Sequence, residues 1–328
     1  MEGIIENANV LVTGGAGFIG SNLCEALLDQ NNKVVCFDNF STGNRENIKP
    51  FLSNKNFELI EGDIRNYDHC DKATKSIDLV LHQAALGSVP RSIEDPISTN
   101  EVNVSGFLNM LTASKKNGIK RFVYAASSST YGDLETLPKT ENNIGKPLSP
   151  YGVSKYVNEL YAKVFSDLYG METIGLRYFN VFGKNQDPKG AYAAAIPKFI
   201  KLLIDHKSPT VHGDGSQTRD FTYVKNVVQA NQLAATTTNP LALNTIYNVA
   251  CGTSTSLNQV ILLLKNFLVA YDTRINDVQI EFAAARLGDI KHSLASIEKA
   301  KNMLHYQPKY NFLEGLKEVM PWYWKSLK

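Results

Sequence analysis

The feature that most constrains this chain is the alternation of short β-rich runs with amphipathic helical stretches along its first half. The β-rich runs are Asn9–Thr13, Lys33–Asp38, Phe57–Glu61, Leu79–His82, 121–126 and 172–177. Helical patterns such as 20–30, 100–117 and 151–168 lie between them. Strands separated by helices cannot pair as hairpins, so the pattern predicts parallel βαβ units and an α/β fold with a doubly wound parallel sheet. Ligands of such sheets sit beyond the carboxyl ends of the strands. Gly14, Asp38, Asp63, Ala84, Ala85, Leu86 and Ser127 fall at those ends.

After about residue 180 the alternation weakens, and glycine, proline and aromatic residues increase in 180–190 and 212–223. This predicts a nucleotide-binding domain over 1–180, rejoined by about 220–250. A smaller α/β substrate-binding lobe is expected over 181–219 and 251–328. The 328 residues suffice for one large domain or two modest ones. With 34 basic and 32 acidic residues the net charge is +2, which argues against nucleic acid as the main partner. No apolar run approaches the ~20 residues of a membrane span, and no charged-then-apolar leader opens the chain. A soluble, cytoplasmic protein is expected. The four cysteines, Cys24, Cys36, Cys70 and Cys251, lack metal-ligand spacing and read as reduced thiols, three of them in the core.

Gly14, Gly17 and Gly20 spell G-x-x-G-x-x-G between the first strand and its helix. Glycine allows a tight turn and close approach of backbone to a pyrophosphate, while a helix N-terminus offers amide donors. Asp38 ends the next strand, about 20 residues on, where a carboxylate accepts from an adenosine ribose and repels a 2′-phosphate. The cofactor predicted is NAD. Asn39, Ser41, Thr42 and Gly43 follow as further ribose and phosphate contacts, and Asp63 with Ile64 stands where an adenine amino group is met. Asp63 reads equally as a strand-end cap.

Tyr151 and Lys155 are four apart, hence neighbours on one helix face. A free phenol ionises near pH 10, and a cation beside it pulls that value down toward a useful base. Taken alone the spacing is common on solvated helices. It gains meaning from the preceding glycine turn and from Ser127, Ser128 and Ser129 at a strand end. No metal site is indicated.

Together these segments resemble the extended short-chain dehydrogenase/reductase family, which has a Rossmann sheet, and within it the nucleotide-sugar 4-epimerases. The carriers include Asp63-Ile64-Arg65, His82-Gln83-Ala84-Ala85, Ser127-Ser128-Ser129-Thr130-Tyr131-Gly132, Tyr151-Gly152-Val153-Ser154-Lys155, Arg177-Tyr178-Phe179-Asn180 and Arg286-Leu287-Gly288-Asp289. The stretches from Ala84 to Ser92 and from Gly145 to Tyr151 are similar to bacterial UDP-N-acetylhexosamine 4-epimerases that serve surface-polysaccharide synthesis.

By that resemblance Ser127, Tyr151 and Lys155 are catalytic. NAD is held by Gly14, Gly17, Phe18, Ile19, Asp38, Asn39, Ser41, Thr42, Gly43, Asp63, Ile64, Ala84, Ala85, Asn103, Tyr151, Lys155 and Tyr178. The UDP-sugar is met by Gly87, Ser88, Ser127, Ser128, Ser129, Asn180, Arg219, Arg286, Asp289 and Ser293. Ser128-Ser129 replaces the Asp-Glu of the 4,6-dehydratase relatives, so elimination of water lacks its general acid. Ser293 leaves room for an N-acetyl group where an aromatic side chain would not. Lys225-Asn226 departs from the acidic residue common in relatives.

The resemblance implies reversible oxidation at carbon 4, rotation of a 4-keto sugar and reduction from its other face. It also implies a homodimer through the helix at 151, whose second face carries Val153, Val157, Leu160 and Val164, and through 100–116. The rival expectations are a uronic-acid epimerase with Arg91 near carbon 6, a UDP-glucose epimerase, a net oxidoreductase, dehydratase or decarboxylase, and a non-catalytic NAD sensor.

Overall fold

The computed structural model describes residues 3–188, 194–284 and 291–328. Its frame is a seven-stranded sheet: β1 (Asn9–Thr13), β2 (Lys33–Asp38), β3 (Phe57–Glu61), β4 (Leu79–His82), β5 (Arg121–Ser127), β6 (Glu172–Tyr178) and β7 (Thr245–Val249). The spatial order is β7-β6-β5-β4-β1-β2-β3, and every neighbouring pair is parallel. The first four strands have the expected bounds, and β5 and β6 each run one residue further. The chain winds outward from β1 to β3 and then crosses back to β4. The switch point therefore lies beyond the carboxyl ends of β1 and β4, where a crevice opens.

The helices that matter below are α1 (Phe18–Asp29), α2 (Tyr67–Ala73), α3 (Phe107–Lys116), α4 (Pro150–Tyr169), α5 (Ala195–Ile204), α6 (Val224–Thr236), α7 (Leu257–Val269) and α8 (Phe312–Leu327). Successive side chains of β1 point to opposite faces and both faces are covered, which is why its middle, Val10, Leu11 and Val12, is apolar. Val10 and Val12 pack with Leu23 and Leu27 of α1 and Val227 and Ala230 of α6. Leu11 joins Phe107 and Leu111 of α3 and Ala162 and Phe165 of α4 on the other face.

The second lobe has its own core, built by Phe199 and Ile200 of α5, Val260 and Leu264 of α7, and Leu316, Met320 and Tyr323 of α8. Residues 251–328 do not all belong to it. In the short helix Glu298–Leu304, Ala300 and Leu304 pack into the sheet core, as does Tyr306. The expected return of the chain to the sheet is made by α6 and β7.

The helical stretch 100–117 is not one regular helix. Pro96–Asn100 ends in a wide, π-type turn over Glu101–Gly106 before α3 begins. Such turns divert a helix locally and reposition one side chain, here the buried Asn103. All four cysteines are free, with Cys24, Cys36 and Cys70 buried. Among the described residues no helix is long and apolar enough to cross a membrane.

Candidate active site

A cleft of about 410 Å³ lies at the switch point. Its floor is the turn after β1. Gly14 sits at φ +67°, and a Cβ there would come 2.8 Å from Ala84 N, so only glycine lets the β1 and β4 ends approach this closely. α1 then starts at Phe18 with Gly17 as N-cap and no capping side chain, which leaves first-turn amides for an anionic ligand.

Asp38 is buried beside this turn and orders it. Its Oδ2 accepts from Ala16 N at 2.9 Å and its Oδ1 from Phe40 N at 2.8 Å. Burial pushes its carboxyl up, and the backbone amides oppose that shift. Asp63, one strand further, accepts from Asn39 Nδ2 at 2.9 Å and from Arg65 Nη2 at 2.7 Å. The Arg65 hydrogen bond holds its carboxyl at about 2.

The β4 end is tied to the same turn. Thr13 Oγ1 accepts from Gln83 N at 3.2 Å and Ala84 N at 3.1 Å, and it lies 2.8 Å from His82 Nδ1. A hydroxyl whose two lone pairs are used must give its proton to the remaining partner, so His82 Nδ1 is the acceptor and the ring is neutral. Burial, and then the Lys155 charge, hold His82 down at about 3. Gln83 closes a triangle: Tyr178 Oη donates to Gln83 Oε1 at 3.0 Å, Asn231 Nδ2 donates to Tyr178 Oη at 2.9 Å, and Gln83 Nε2 donates to Asn231 Oδ1 at 3.2 Å. Thr13, Gln83 and Asn231 were not among the expected site residues. His82 and Gln83 lay inside a quoted motif, whereas Asn231 comes from α6 and no local pattern signals it.

At the other end of the cleft α4 presents Tyr151 and Lys155. The helix begins with Pro150 at its first position and Ser149 as cap, whose Oγ accepts from Gly152 N at 3.1 Å. Tyr151 and Lys155 line the cleft together with Ser127. Lys155 is buried, and its Nζ donates to Ala125 O at 2.8 Å. Burial lowers its ammonium to about 8, against the attraction of Glu159 one turn on.

The expectation for the phenol needs correction. Burial raises the Tyr151 phenol above its ordinary value and Ser127 offsets part of the rise, so the neighbouring Lys155 does not by itself bring it down.

Of the other expected residues, Gly14, Gly17, Phe18, Ile19, Asp38, Asn39, Ser41, Thr42, Asp63, Ile64, Ala84, Ala85, Gly87, Tyr178 and Asn180 line the cleft. Gly43 lies behind it, backed against the Asp38 carboxylate. Asn103 does not line it: its Oδ1 accepts from Leu86 N at 2.8 Å, and its Nδ2 donates to Leu86 O at 3.1 Å and Ser154 Oγ at 3.1 Å. Its amide thus fixes the cleft wall to α4.

Ser88 caps the short helix Val89–Glu94. Ser128 and Ser129 form a tight turn in which Ser129 N donates to Ser127 Oγ at 3.1 Å. Asn180 has φ +36° and donates to Asp220 O at 3.0 Å. Arg219 donates to Thr218 O at 2.9 Å and Ser293 N donates to Thr218 O at 3.1 Å, and neither residue is among those lining the cleft. Arg286 and Asp289 lie outside the described residues. At the departure noted in the sequence, Asn226 exchanges hydrogen bonds with the Tyr310 backbone and Lys225 pairs with Glu318, which makes them structural.

The profile of the NAD dependent epimerase/dehydratase family matches residues 10–250. A putative UDP-glucose 4-epimerase of Methanocaldococcus jannaschii is 39% identical over 315 residues, 95% of this chain and 97% of that protein. A solved structure of a UDP-N-acetylglucosamine 4-epimerase from Methanobrevibacter ruminantium M1, in complex with UDP-N-acetylmuramic acid, superposes with a TM-score of 0.89 at 39% identity, covering 98% of this chain and 99% of that one. The UDP-glucuronic acid 4-epimerase of Bacillus cereus, in complex with UDP-glucuronic acid and NAD, does so with a TM-score of 0.87 at 30% identity, covering 97% and 99%.

A doubly wound sheet, a glycine turn at its switch point and a Tyr/Lys helix facing that turn are the marks of a nucleotide-cofactor enzyme. The chain belongs to the NAD dependent epimerase/dehydratase family. NAD fits the residues present: the uncapped start of α1, the Asp38 carboxylate at the end of β2, and Lys155 and Tyr178 all face one cleft.

Proposed function

We propose that this protein interconverts UDP-N-acetylglucosamine and UDP-N-acetylgalactosamine by NAD-dependent epimerisation at carbon 4, supplying surface-polysaccharide synthesis. One observation carries the reading: among the described residues, the only carboxyl groups lining the cleft are Asp38 and Asp63. β2 is three strands from β5, roughly 14 Å away at about 4.8 Å per strand, and β3 is one further. Next to Tyr151 stand serines, not acids. A dehydratase needs a proton donor for its leaving hydroxyl there, whereas an epimerase needs only a base that takes and returns one proton.

Tyr151 takes the 4-hydroxyl proton directly or through Ser127, which lines the same cleft. Lys155 compensates the phenolate from within the same helix face. Bound NAD supplies the hydride acceptor for carbon 4 and a positive ring charge that favours the phenolate. Gly87 leaves the space a ketone needs in order to turn over, since an added Cβ there meets nothing within 4 Å. Arg219, Arg286 and Asp289 hold the diphosphate and uridine, with Asn180 at the sugar-phosphate link, and Ser293 leaves room for the N-acetyl group. Two copies pair through α4 and α3. In support, α4 carries a second apolar face, with Val153, Leu160, Val164 and Leu168 each 46–68% exposed.

The test incubates purified protein, without added cofactor, with UDP-N-acetylglucosamine, UDP-glucose and the N-acetylhexosaminuronate, and resolves the products. The neutral N-acetyl sugar should turn over fastest, and Tyr151→Phe should lower that rate by about 10²–10⁴. Full activity in Tyr151→Phe overturns the assignment. Faster turnover of the uronate would favour the acid sugar, with Arg91, whose backbone N–H donates to Ser88 Oγ at 3.2 Å, as the cation.

A further inference from the structure

Beyond Phe182 the chain leaves the cleft wall and lies across α1 on the nucleotide side. Asn22 Nδ2 donates to Lys184 O at 2.9 Å and to Phe18 O, in its own helix, at 2.8 Å. Asn185 Nδ2 donates to Ser21 Oγ at 2.9 Å, and Lys184 Nζ pairs with Glu25 Oε1 at 2.7 Å. The segment is held from behind as well. Tyr323 Oη of α8 donates to Gly183 O at 3.1 Å, and Gln186 Nε2 donates to Val181 O at 3.0 Å. Asn185 adopts φ +69°, a conformation that only a few residue types accept without strain.

The two elements joined here both contribute to the cleft. Phe18 and Ile19 of α1 line it, and so do Asn180 and Val181, just before the segment. A dinucleotide whose pyrophosphate lies on the first turn of α1 has both elements beside it. We propose that residues 184–186 are a strap that locks the lobe to α1 and retains NAD through successive turnovers. The proposal rests on the epimerase reading, in which each catalytic cycle restores the cofactor and its departure serves no purpose. Opening the cleft requires breaking three side-chain links at once, so the strap acts on the release rate and leaves the reacting centre alone.

The experiment loads the enzyme with NAD, removes free nucleotide and follows loss of bound NAD by its absorbance. Lys184→Ala/Asn185→Gly removes two links without touching α1 or the cleft, and glycine keeps the positive φ. It should release NAD at least tenfold faster than the wild type, with an unchanged kcat once NAD is saturating. Asn22→Ala, a second route to the same break, should also release it faster. Wild-type release rates in both folded variants overturn the strap. A wild-type chain that binds no NAD at all overturns the epimerase reading, and the strap with it.

Discussion

His82 is a base that the fold keeps from acting as one. Thr13 spends its lone pairs on Gln83 N and Ala84 N and its proton on His82 Nδ1, while Phe107 and Phe122 pack against the ring at centroid distances of 5.3 and 5.6 Å. The motif around it was legible in the sequence; this locked tautomer was not, because it depends on a residue 69 positions away. The pH consequence follows from the sign of the shift. His82 sits at about 3 in the folded chain against 6.5 when free, so the unfolded chain binds the extra proton across that window. Its share of stability is present above pH 6.5 and is lost as pH falls toward 3. At pH 5 the loss is about 2 kcal/mol. His82→Gln, which keeps an acceptor for Thr13, should remove that much of the stability difference between pH 7 and pH 5 in urea unfolding. An unchanged difference would mean that other groups dominate the acid limb.

At the level of the element, α4 joins local sequence to chemistry. Ser149 and Pro150 fix where the helix starts, and the 3.6-residue period then places Tyr151, Lys155 and Glu159 on one side. Gly152 is pressed against the serine turn: a Cβ on it would meet Ser129 O at 2.9 Å. Glu159 is gripped by Arg177 of β6 through two 2.8 Å bonds, both side chains being buried, so the lower half of the helix cannot rotate. Ser149→Ala should cost about 1 kcal/mol of stability. Because the cap sits two residues before the base, kcat should fall more than KM rises. Chemical denaturation and steady-state kinetics on one preparation check both, and a change in KM alone would contradict this positioning role. Six of the seven strands were readable to within a residue because short β-rich runs such as β1 and β4 stand between helical patterns, whereas β7 was legible only as a return of about 220–250 to the sheet. The π-type turn at Glu101–Gly106 was not, since its sequence is compatible with an ordinary helix and tertiary contacts at Asn103 decide.

In the whole molecule, two cores share one cleft. The nucleotide half of the candidate site was legible because it is built from consecutive strand ends. The proposed substrate half draws on segments scattered from Gly87 to Ser293, and only a resemblance could nominate Asn180, Arg219 and Ser293. Buried ties such as Asn226 to the Tyr310 backbone, or Asp220 to the N–H groups of Cys251 and Gly252 at 2.9 and 3.0 Å, span distances that no local pattern reveals. The exposed stripe of α4 gives a prediction at this scale. Val153→Lys/Leu160→Lys should convert a dimer to a monomer in light scattering and leave the monomer folded, and a wild-type chain already monomeric at micromolar concentration would contradict the pairing. The central claim is that carbon 4 is oxidised and then reduced with the same hydrogen. UDP-N-acetylglucosamine carrying deuterium at carbon 4, converted in ordinary water, should yield UDP-N-acetylgalactosamine with the label retained at that carbon. Label lost to the solvent would show that the stereocentre is inverted by proton exchange, and the account would fall.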